Sequence, residues 1–357
     1  MLLLEKATLP RYKACTGAVS PSVADWFDFD FSPAIDSEIR RVRYTWKLGD
    51  AIDAELETEP IWSVRREKFD QFLVEQAQRV GAEVRDQTAV TGAVFSNDHW
   101  QLSTVSDRTN TLTPSEVLSG RYIIAADGAT GPMADLLGFR KHKLREAAVL
   151  EFDTAAPVEK GAFSFEFGMA KNGCLWSFPK QQGYSLGVSS FIGDSIKSPE
   201  NLLGEYAPAF GLEASQGKFY AHPLKLWDGN HKLHANQALI VGEAAAIVDP
   251  LTAEGIRPAM YSAVMAAQAV EKALKGDESA IARYTQIIHE SWGADMQWAQ
   301  RIASVFFRVP KIGYRVGIKR PTSTKRLGQI LAGEISYADI ANRVIKRITK
   351  SFIPGVG

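Results

Sequence analysis

Cysteine is scarce in this chain, with Cys15 and Cys174 the only two among 357 residues. A disulfide-stapled scaffold is therefore excluded. The opening MLLLEK is too short for the apolar core of a secretion signal and runs at once into charge, so a reducing, cytoplasmic location is expected. Charge of one sign is also lacking: 41 Lys and Arg face 41 Asp and Glu. Nucleic acid is excluded as the main partner, because binding phosphates needs a basic excess. No stretch reaches the roughly 18 apolar residues of a membrane span. Even the run from Ala238 is interrupted by Glu243 and Asp249. What is present is a chain of 45% hydrophobic residues, long enough to bury one or two cores and to enclose a small-molecule site. Two domains are expected, and nothing in the pattern fixes an oligomeric state.

Charge is uneven along the chain. From Arg308 to Lys350, eleven Lys or Arg face two acids, Glu334 and Asp339. Within 341–352, Val344, Ile345, Ile348 and Phe352 share one side of a helical pattern, with Arg343, Lys346, Arg347 and Lys350 mostly on the other. Such a segment either rests peripherally on an anionic membrane surface or packs its apolar stripe on its own protein.

The most informative stretch is 239–258, LIVGEAAAIVDPLTAEGIRP. Leu239, Ile240 and Val241 read as a short buried strand, and Gly242 turns the chain so that Glu243 leaves the strand's carboxyl end, where open α/β sheets bind ligands. Ala244, Ala245 and Ala246 let backbone approach a ligand closely. Asp249-Pro250 makes a rigid corner before Gly255 opens a helix through Ile256. The helix N-terminus aims N–H groups and a positive dipole end at that corner, which stabilises negative charge of the kind a reduced flavin ring carries.

One motif that should accompany a dinucleotide site is missing. MLLLEK reads as a buried strand ending in an acid, with Glu5 placed where a Rossmann-type second strand accepts adenosine ribose hydroxyls. No GxGxxG occurs anywhere in the chain. A truncated reading of a longer protein is expected in preference to a fold that has lost its central strand. With no loop of amides to cradle a pyrophosphate, residues 1–357 alone are expected to hold little flavin, and an upstream strand–GxGxxG–helix segment to restore it.

Other segments carry their own patterns. Residues 61–80, IWSVRREKFDQFLVEQAQRV, read as a strand leading into a helix with Phe69, Phe72, Leu73, Ala77 and Val80 at helical spacing, ended by Gly81. AEVRDQTAV follows as a strand whose last residues are Ala89 and Val90. Residues 121–138, RYIIAADGATGPMADLLG, form a strand, a turn at Asp127-Gly128 and a helix stopped by Gly138. In 172–190, NGCLWSFPKQQGYSLGVSS, alternation puts Cys174, Trp176 and Phe178 on one strand face. That face is either a core strand or a wide apolar wall for a ligand.

Taken in order, these segments resemble the geranylgeranyl reductase family of the FAD-dependent, flavoprotein hydroxylase-like oxidoreductases. GEAAAIVDPLTAEGI resembles the family's GDAAGxxDPxxGEGI, with Glu243, Ala246 and Ala253 in place of Asp, Gly and Gly. PRYKACTGAVSP resembles PRxKxCGGGLSP, with Thr16 replacing a Gly. REKFDQFL resembles RxxFDxxL, with Arg66 at the motif's Arg. ADGATGPMAD resembles ADGxxSxxR, departing at Gly131, Pro132 and Asp135. CLWSFP…GYSLG resembles the YxWxFP…GxG substrate motif, with Cys174 replacing Tyr.

The resemblance implies an α/β, interleaved α+β architecture. A Rossmann-like FAD-binding domain of GR2 type, truncated at its N-terminus, would span 1–24, 62–137 and 228–288. An inserted β-sheet catalytic domain would take 25–61 and 138–227, and a helical C-terminal region 289–357. It implies FAD bound by Glu5, Thr16, Gly17, Arg66, Val90, Asp127, Glu243, Pro250, Gly255 and Ile256. Cys15 is the candidate for assisting proton delivery, and Cys174, Trp176, Phe178 and Pro179 the candidates for contacting an isoprenoid substrate. No metal is expected. The implied activity is reduction of geranylgeranyl-type double bonds, with electrons from NAD(P)H or ferredoxin. The alternatives are an FAD-dependent aromatic monooxygenase and a cofactor-poor relative that binds a lipid or a partner protein.

Overall fold

The computed structural model describes residues 1–106, 116–153, 161–193 and 196–341. The amphipathic segment expected at 341–352 therefore lies outside the described residues, apart from Ala341.

Two parallel strand pairs frame the first part of the fold. β1 (Leu2–Leu4) runs parallel to β7 (Glu83–Arg85). β11 (Ile123–Ala125) runs parallel to β18 (Ala238–Ile240), whose other edge pairs antiparallel with β17 (His234–Ala235). Ala238, Leu239 and Ile240 are buried on both faces, as expected of a short apolar strand inside an α/β layer. α4 (Ile256–Leu274) and α5 (Ser279–Ile288) cover it through Ala266, Ala269, Ile281 and Tyr284, and the Tyr284 hydroxyl donates to the Ile240 carbonyl at 3.0 Å. α1 (Arg66–Arg79), α2 (Met133–Leu136) and an antiparallel meander of β8 (Ala89–Ser96), β9 (His99–Val105) and β10 (Glu116–Gly120) complete this part. The register of β8 slips between Val90 and Gly92.

Two local expectations need correction. β1 is a strand but not a buried one: Leu2 is 37% exposed and Met1 83%. Among the described residues β7 is the only strand hydrogen-bonded to β1, so one edge is left open. Val80 does not share the apolar face of α1, being 86% exposed. The helix ends at Arg79, and beyond its last turn the 3.6-residue period no longer directs side chains.

The largest sheet has seven strands in the order β16-β12-β15-β14-β13-β4-β5. These are β4 (Arg41–Trp46), β5 (Gly49–Glu55), β12 (Ala147–Phe152), β13 (Ala162–Phe167), β14 (Gly173–Pro179), β15 (Tyr184–Ser190) and β16 (Lys218–Ala221). Only the β13–β4 contact is parallel. Alternation divides β14 cleanly. Cys174, Trp176 and Phe178 join Phe163 and Phe167 on one face, and Leu175 joins Leu150, Leu186 and Val188 on the other, beneath α3 (Pro199–Tyr206). Trp176 packs flat because its cross-strand partner is Gly187, where a Cβ would stand 2.1 Å from the indole nitrogen.

A small sheet of β2 (Ala18–Val19), β6 (Ile61–Ser63) and β3 (Ser37–Ile39) lies between the two larger parts. The C-terminal part is helical: α6 (Ala294–Arg308), α7 (Pro310–Gly313), a π-helical turn at Tyr314–Ile318 and α8 (Pro321–Leu331). Phe307, Tyr314 and Ile318 pack on the Trp176 face of the large sheet. The Tyr314 hydroxyl reaches the carbonyls of Tyr44, at 3.2 Å, and Asp50, at 2.5 Å. No described helix is long and apolar enough to cross a membrane.

Candidate functional site

The stretch after β18 folds as a sequence of forced turns. Gly242 has φ +56, and a side chain there would press on Ala259 of α4. Its N–H donates to Ser262 Oγ at 3.0 Å. Ala246 and Ala253 also sit in the left-handed region, at φ 53 and 60, which costs an L-residue roughly 1–2 kcal/mol. The family motif has glycine at both places. Asp249 Oδ1 accepts from the N–H groups of Leu251 at 2.7 Å and Thr252 at 3.0 Å, closing the Asp-Pro corner. α4 then begins after Gly255 without a side-chain cap, so its first-turn N–H groups and dipole face outward.

They face a solvent-connected cavity of about 90 Å³. Cys15, Thr16, Gly255 and Ile256 line it on one side, and Phe163, Phe165, Trp176 and Phe178 on the other. Ala253, Glu254 and Leu331 of α8 complete the wall. A largely apolar lining with a few convergent polar groups is the usual chemistry of small-molecule sites. Six of the residues singled out from the sequence thus share one cavity, although they come from three separate parts of the chain.

Behind Cys15 runs a line of charge. Glu5 Oε2 accepts from Arg11 Nε at 2.8 Å, and Arg11 Nη1 reaches Asp70 at 2.9 Å. Asp70 takes Arg66 through two bonds of 2.8 Å, one to each oxygen, the geometry in which a guanidinium matches a carboxylate best. Arg66 in turn hydrogen-bonds Cys15. The RxxFD pattern is therefore an internal ion pair, with Arg66 four residues before Asp70 on α1. Burial alone would raise the Asp70 carboxyl, but the charges of Arg66 and Arg11 outweigh it and hold the pKa below its ordinary value.

Glu243 makes a second polar group. Its Oε2 lies 3.7 Å from His222 Nε2 and 3.9 Å from the Lys13 ammonium, and Oε1 accepts the Lys225 N–H at 3.4 Å. Burial opposes ionisation, yet these neighbours keep the Glu243 pKa below the ordinary carboxylate value. Burial also lowers the Lys13 ammonium, against the pull of Glu243. Lys13 lies 4.0 Å from where a Cβ would stand on Gly128, so the ADG turn belongs to the same groove. Asp127 Oδ2 accepts the Met133 N–H at 2.7 Å, capping α2, while its Oδ1 is buried without a partner.

The remaining predicted residues lie apart from the cavity. Gly17 has φ +78 and packs where a Cβ would meet the Val64 carbonyl at 2.1 Å, so it serves the close approach of backbone rather than the lining. Val90 sits at the β8 bulge. Cys174 is buried in the core of the sheet, where burial pushes its thiol pKa up. Pro179 ends β14 and accepts the Ser63 hydroxyl at 3.1 Å. Pro250 faces a different cavity of about 90 Å³, lined also by Lys143, Arg145, Asp228 and Gln300.

Sequence reasoning missed several residues that shape the site. Lys180 is buried directly beneath the Cys15–Gly17 turn, and its ammonium donates to the carbonyls of Thr16 and Val64 and to Ser63 Oγ, the last two at 3.0 and 3.4 Å. Burial lowers its pKa. A lysine directly after the Phe-Pro that ends an apolar strand was the available signal. Arg11 and Lys13 were visible as alternate cations in an extended segment, but nothing local identified Asp70 or Glu243 as their partners. At the crossovers between the parts, His142 Nδ1 lies 3.0 Å from Asp228, which Arg140 also meets at 3.2 Å. His231 lies beside them with its pKa lowered by burial to about 4.

The comparisons with known proteins agree with this geometry. Residues 32–184 match a family model described as an FAD binding domain. A digeranylgeranylglycerophospholipid reductase of Methanocaldococcus jannaschii is 28% identical over 225 residues, 59% of this chain and 55% of its own length. The chain is thus similar to geranylgeranyl reductase-like flavoproteins. An uncharacterized protein of Methanosarcina barkeri is 26% identical over 80% of this chain and 73% of its own. The fold is that of a geranylgeranyl bacteriochlorophyll reductase-like protein from Thermoplasma acidophilum, with a TM-score of 0.74 at 19% identity over 93% of this chain and 85% of that one. The chain thus spans little more than half of the M. jannaschii reductase and about three quarters of the M. barkeri relative. These likenesses support a protein of the FAD-dependent oxidoreductase type.

Proposed function

We propose that this flavoprotein reduces carbon–carbon double bonds of an isoprenoid lipid in the cavity between α4 and the Trp176 face of the large sheet. The observation that carries the proposal is a conjunction. One cavity brings together a cysteine, the uncapped start of a 19-residue helix and a wall of four aromatic rings.

The residues present fit FAD. Glu5 offers a carboxylate for the adenosine ribose, and Glu243 one for the ribityl chain. Asp127 Oδ1, buried and unpartnered, is left to meet a donor. Thr16, Gly255 and Ile256 would border the ring, with the α4 dipole favouring negative charge upon it. When bound and reduced, FAD supplies the hydride that one alkene carbon receives.

The chain's own groups do the rest. The Cys15 thiol holds the proton destined for the neighbouring carbon, and Arg66 fixes the position of that thiol. Phe163, Phe165, Trp176 and Phe178 orient the isoprenoid and exclude water, each buried methylene contributing about 0.8 kcal/mol. NAD(P)H or ferredoxin would supply the electrons. A cofactor-poor relative is motivated by the absent GxGxxG together with Glu243, Ala246 and Ala253; of these, the two alanines adopt the backbone conformation a glycine would take.

The test is to load the protein with FAD, reduce it anaerobically and supply geranylgeranyl diphosphate or a geranylgeranylated glycerophospholipid. Products heavier by two hydrogens per double bond are expected. A flavin-loaded protein that leaves both substrates unchanged, or that instead gives oxygen-dependent hydroxylation of an aromatic compound, overturns the reading.

A further inference from the structure

The described residues leave one apolar stripe in water. Val305, Val309, Ile312 and Val316 are 67%, 44%, 60% and 52% exposed. They lie along one stretch of chain that runs from the end of α6, through the non-helical Val309 and α7, into the π-helical turn. The opposite face is occupied: Ala303, Phe307, Tyr314 and Ile318 are buried against the large sheet. The stripe is therefore the outer side of a firmly docked element.

The segment itself is basic, with Asp50 of β5 and Glu57 just beyond it pairing with Lys319 and Lys325. Between Met296 and Gly333 the sequence holds eight Lys or Arg and no Asp or Glu. Arg301, Arg308, Lys311, Arg315, Lys319 and Arg320 are all exposed, most of them beside the stripe. Lys319 is tied to Asp50 at 2.5 Å, so the anion that the other cations face must come from outside this segment. Exposed aliphatic side chains flanked by cations, on a segment anchored to its own protein by the other side, are the makings of a surface that lies in the headgroup layer of a bilayer.

We propose that the Val305–Val316 face docks on an anionic membrane, with its four aliphatic side chains entering the acyl boundary and the flanking Arg and Lys meeting lipid phosphates. This surface is distinct from the 341–352 segment and stands whether or not the cavity takes an isoprenoid. A second copy of the chain fits it less well, because a symmetric pairing would bring two basic rims together.

The experiment is flotation of the full chain with vesicles of phosphatidylcholine alone and of equal parts phosphatidylcholine and phosphatidylglycerol. Binding to the anionic vesicles is expected, weakened by salt. The pair Ile312→Glu and Val316→Glu should lower partitioning at least about tenfold with an unchanged thermal melt, since both positions are exposed. Arg308→Gln with Lys311→Gln should weaken binding and flatten its salt dependence. The proposal is overturned if the wild type stays unbound, or if the glutamate pair floats as well as the wild type. It is equally overturned if the wild type is a dimer in solution that the glutamate pair converts to monomer.

Discussion

The hydroxyl of Tyr337 donates to the buried carboxylate of Asp249 at 2.6 Å, across 88 residues of sequence. Asp249 shapes the corner that leads into α4, so the helical C-terminal part holds the site's main turn from outside. Tyr337→Phe leaves a buried carboxylate oxygen without its partner and should cost about 1–3 kcal/mol at neutral pH. Burial already raises the Asp249 pKa, against the opposing pull of Tyr337 and the two amides. A carboxyl with a raised folded-state pKa favours folding in its protonated form and loses that contribution as pH rises through the folded value. Removing the tyrosine donor raises this pKa further. The deficit of the variant should therefore shrink on acidification, which urea melts at neutral and acidic pH will show.

Ala246→Gly and Ala253→Gly should each stabilise the fold slightly. Relief of a left-handed alanine returns about 1–2 kcal/mol, and the added freedom of the unfolded chain takes back about 0.4–1 kcal/mol. Ala246→Val, β-branched and fully buried at the same φ, should destabilise. Chemical denaturation of the three variants reads the sign directly, and stabilisation by valine would refute the strain argument.

Gly187→Ala would place a methyl against the Trp176 indole. The ring has to leave its seat, at about 1–3 kcal/mol as an overpacked site. Its path of escape is toward the cavity, so tryptophan fluorescence should shift and the capacity for an apolar ligand should fall. An unaltered emission spectrum would contradict the packing described.

Asp70→Asn removes the common partner of Arg66 and Arg11. Loss of one member of a largely buried ion pair costs about 3–5 kcal/mol. Because the folded-state pKa of Asp70 is lowered, the contribution of this network is complete above the ordinary aspartate pKa and is lost as pH falls through the lowered one. The wild type should lose stability in that acid window and D70N should lose less of it, as thermal melts across acid pH will show.

Cys15→Ala tests proton delivery separately from binding. With FAD content unchanged, isoprenoid reduction should fall about 10²–10⁴-fold if the thiol is the proton source. Full activity in this variant would remove Cys15 from the mechanism while leaving the cavity assignment intact.

Much of the fold was legible wherever a local pattern carried its own boundary. The Leu239–Val241 run, Gly242 and the Gly255 helix start appear in place because an apolar strand, a residue free to take positive φ and a helix cap each leave a short-range mark. The Cys174–Phe178 alternation was legible for the same reason, and so was the gathering of Cys15, Thr16, Trp176, Phe178, Gly255 and Ile256, through motif order. Burial at the ends was not: Leu2 and Val80 are apolar, but exposure depends on which neighbours pack there. Least legible were the partners across long sequence separation. Asp70 serving two arginines, Lys180 under the Thr16 turn and Tyr337 on Asp249 all depend on the assembled fold, and no window of sequence contains both members of any but the Arg66–Asp70 pair.

Leu331, from α8, forms part of the cavity wall that begins at Cys15. During synthesis the pocket therefore cannot close until α8 has left the ribosome, because its walls are made more than three hundred residues apart. A nascent chain halted before α8 would present the aromatic face to solvent without that wall, and a site assembled from such distant segments forms only once the parts that carry them have docked.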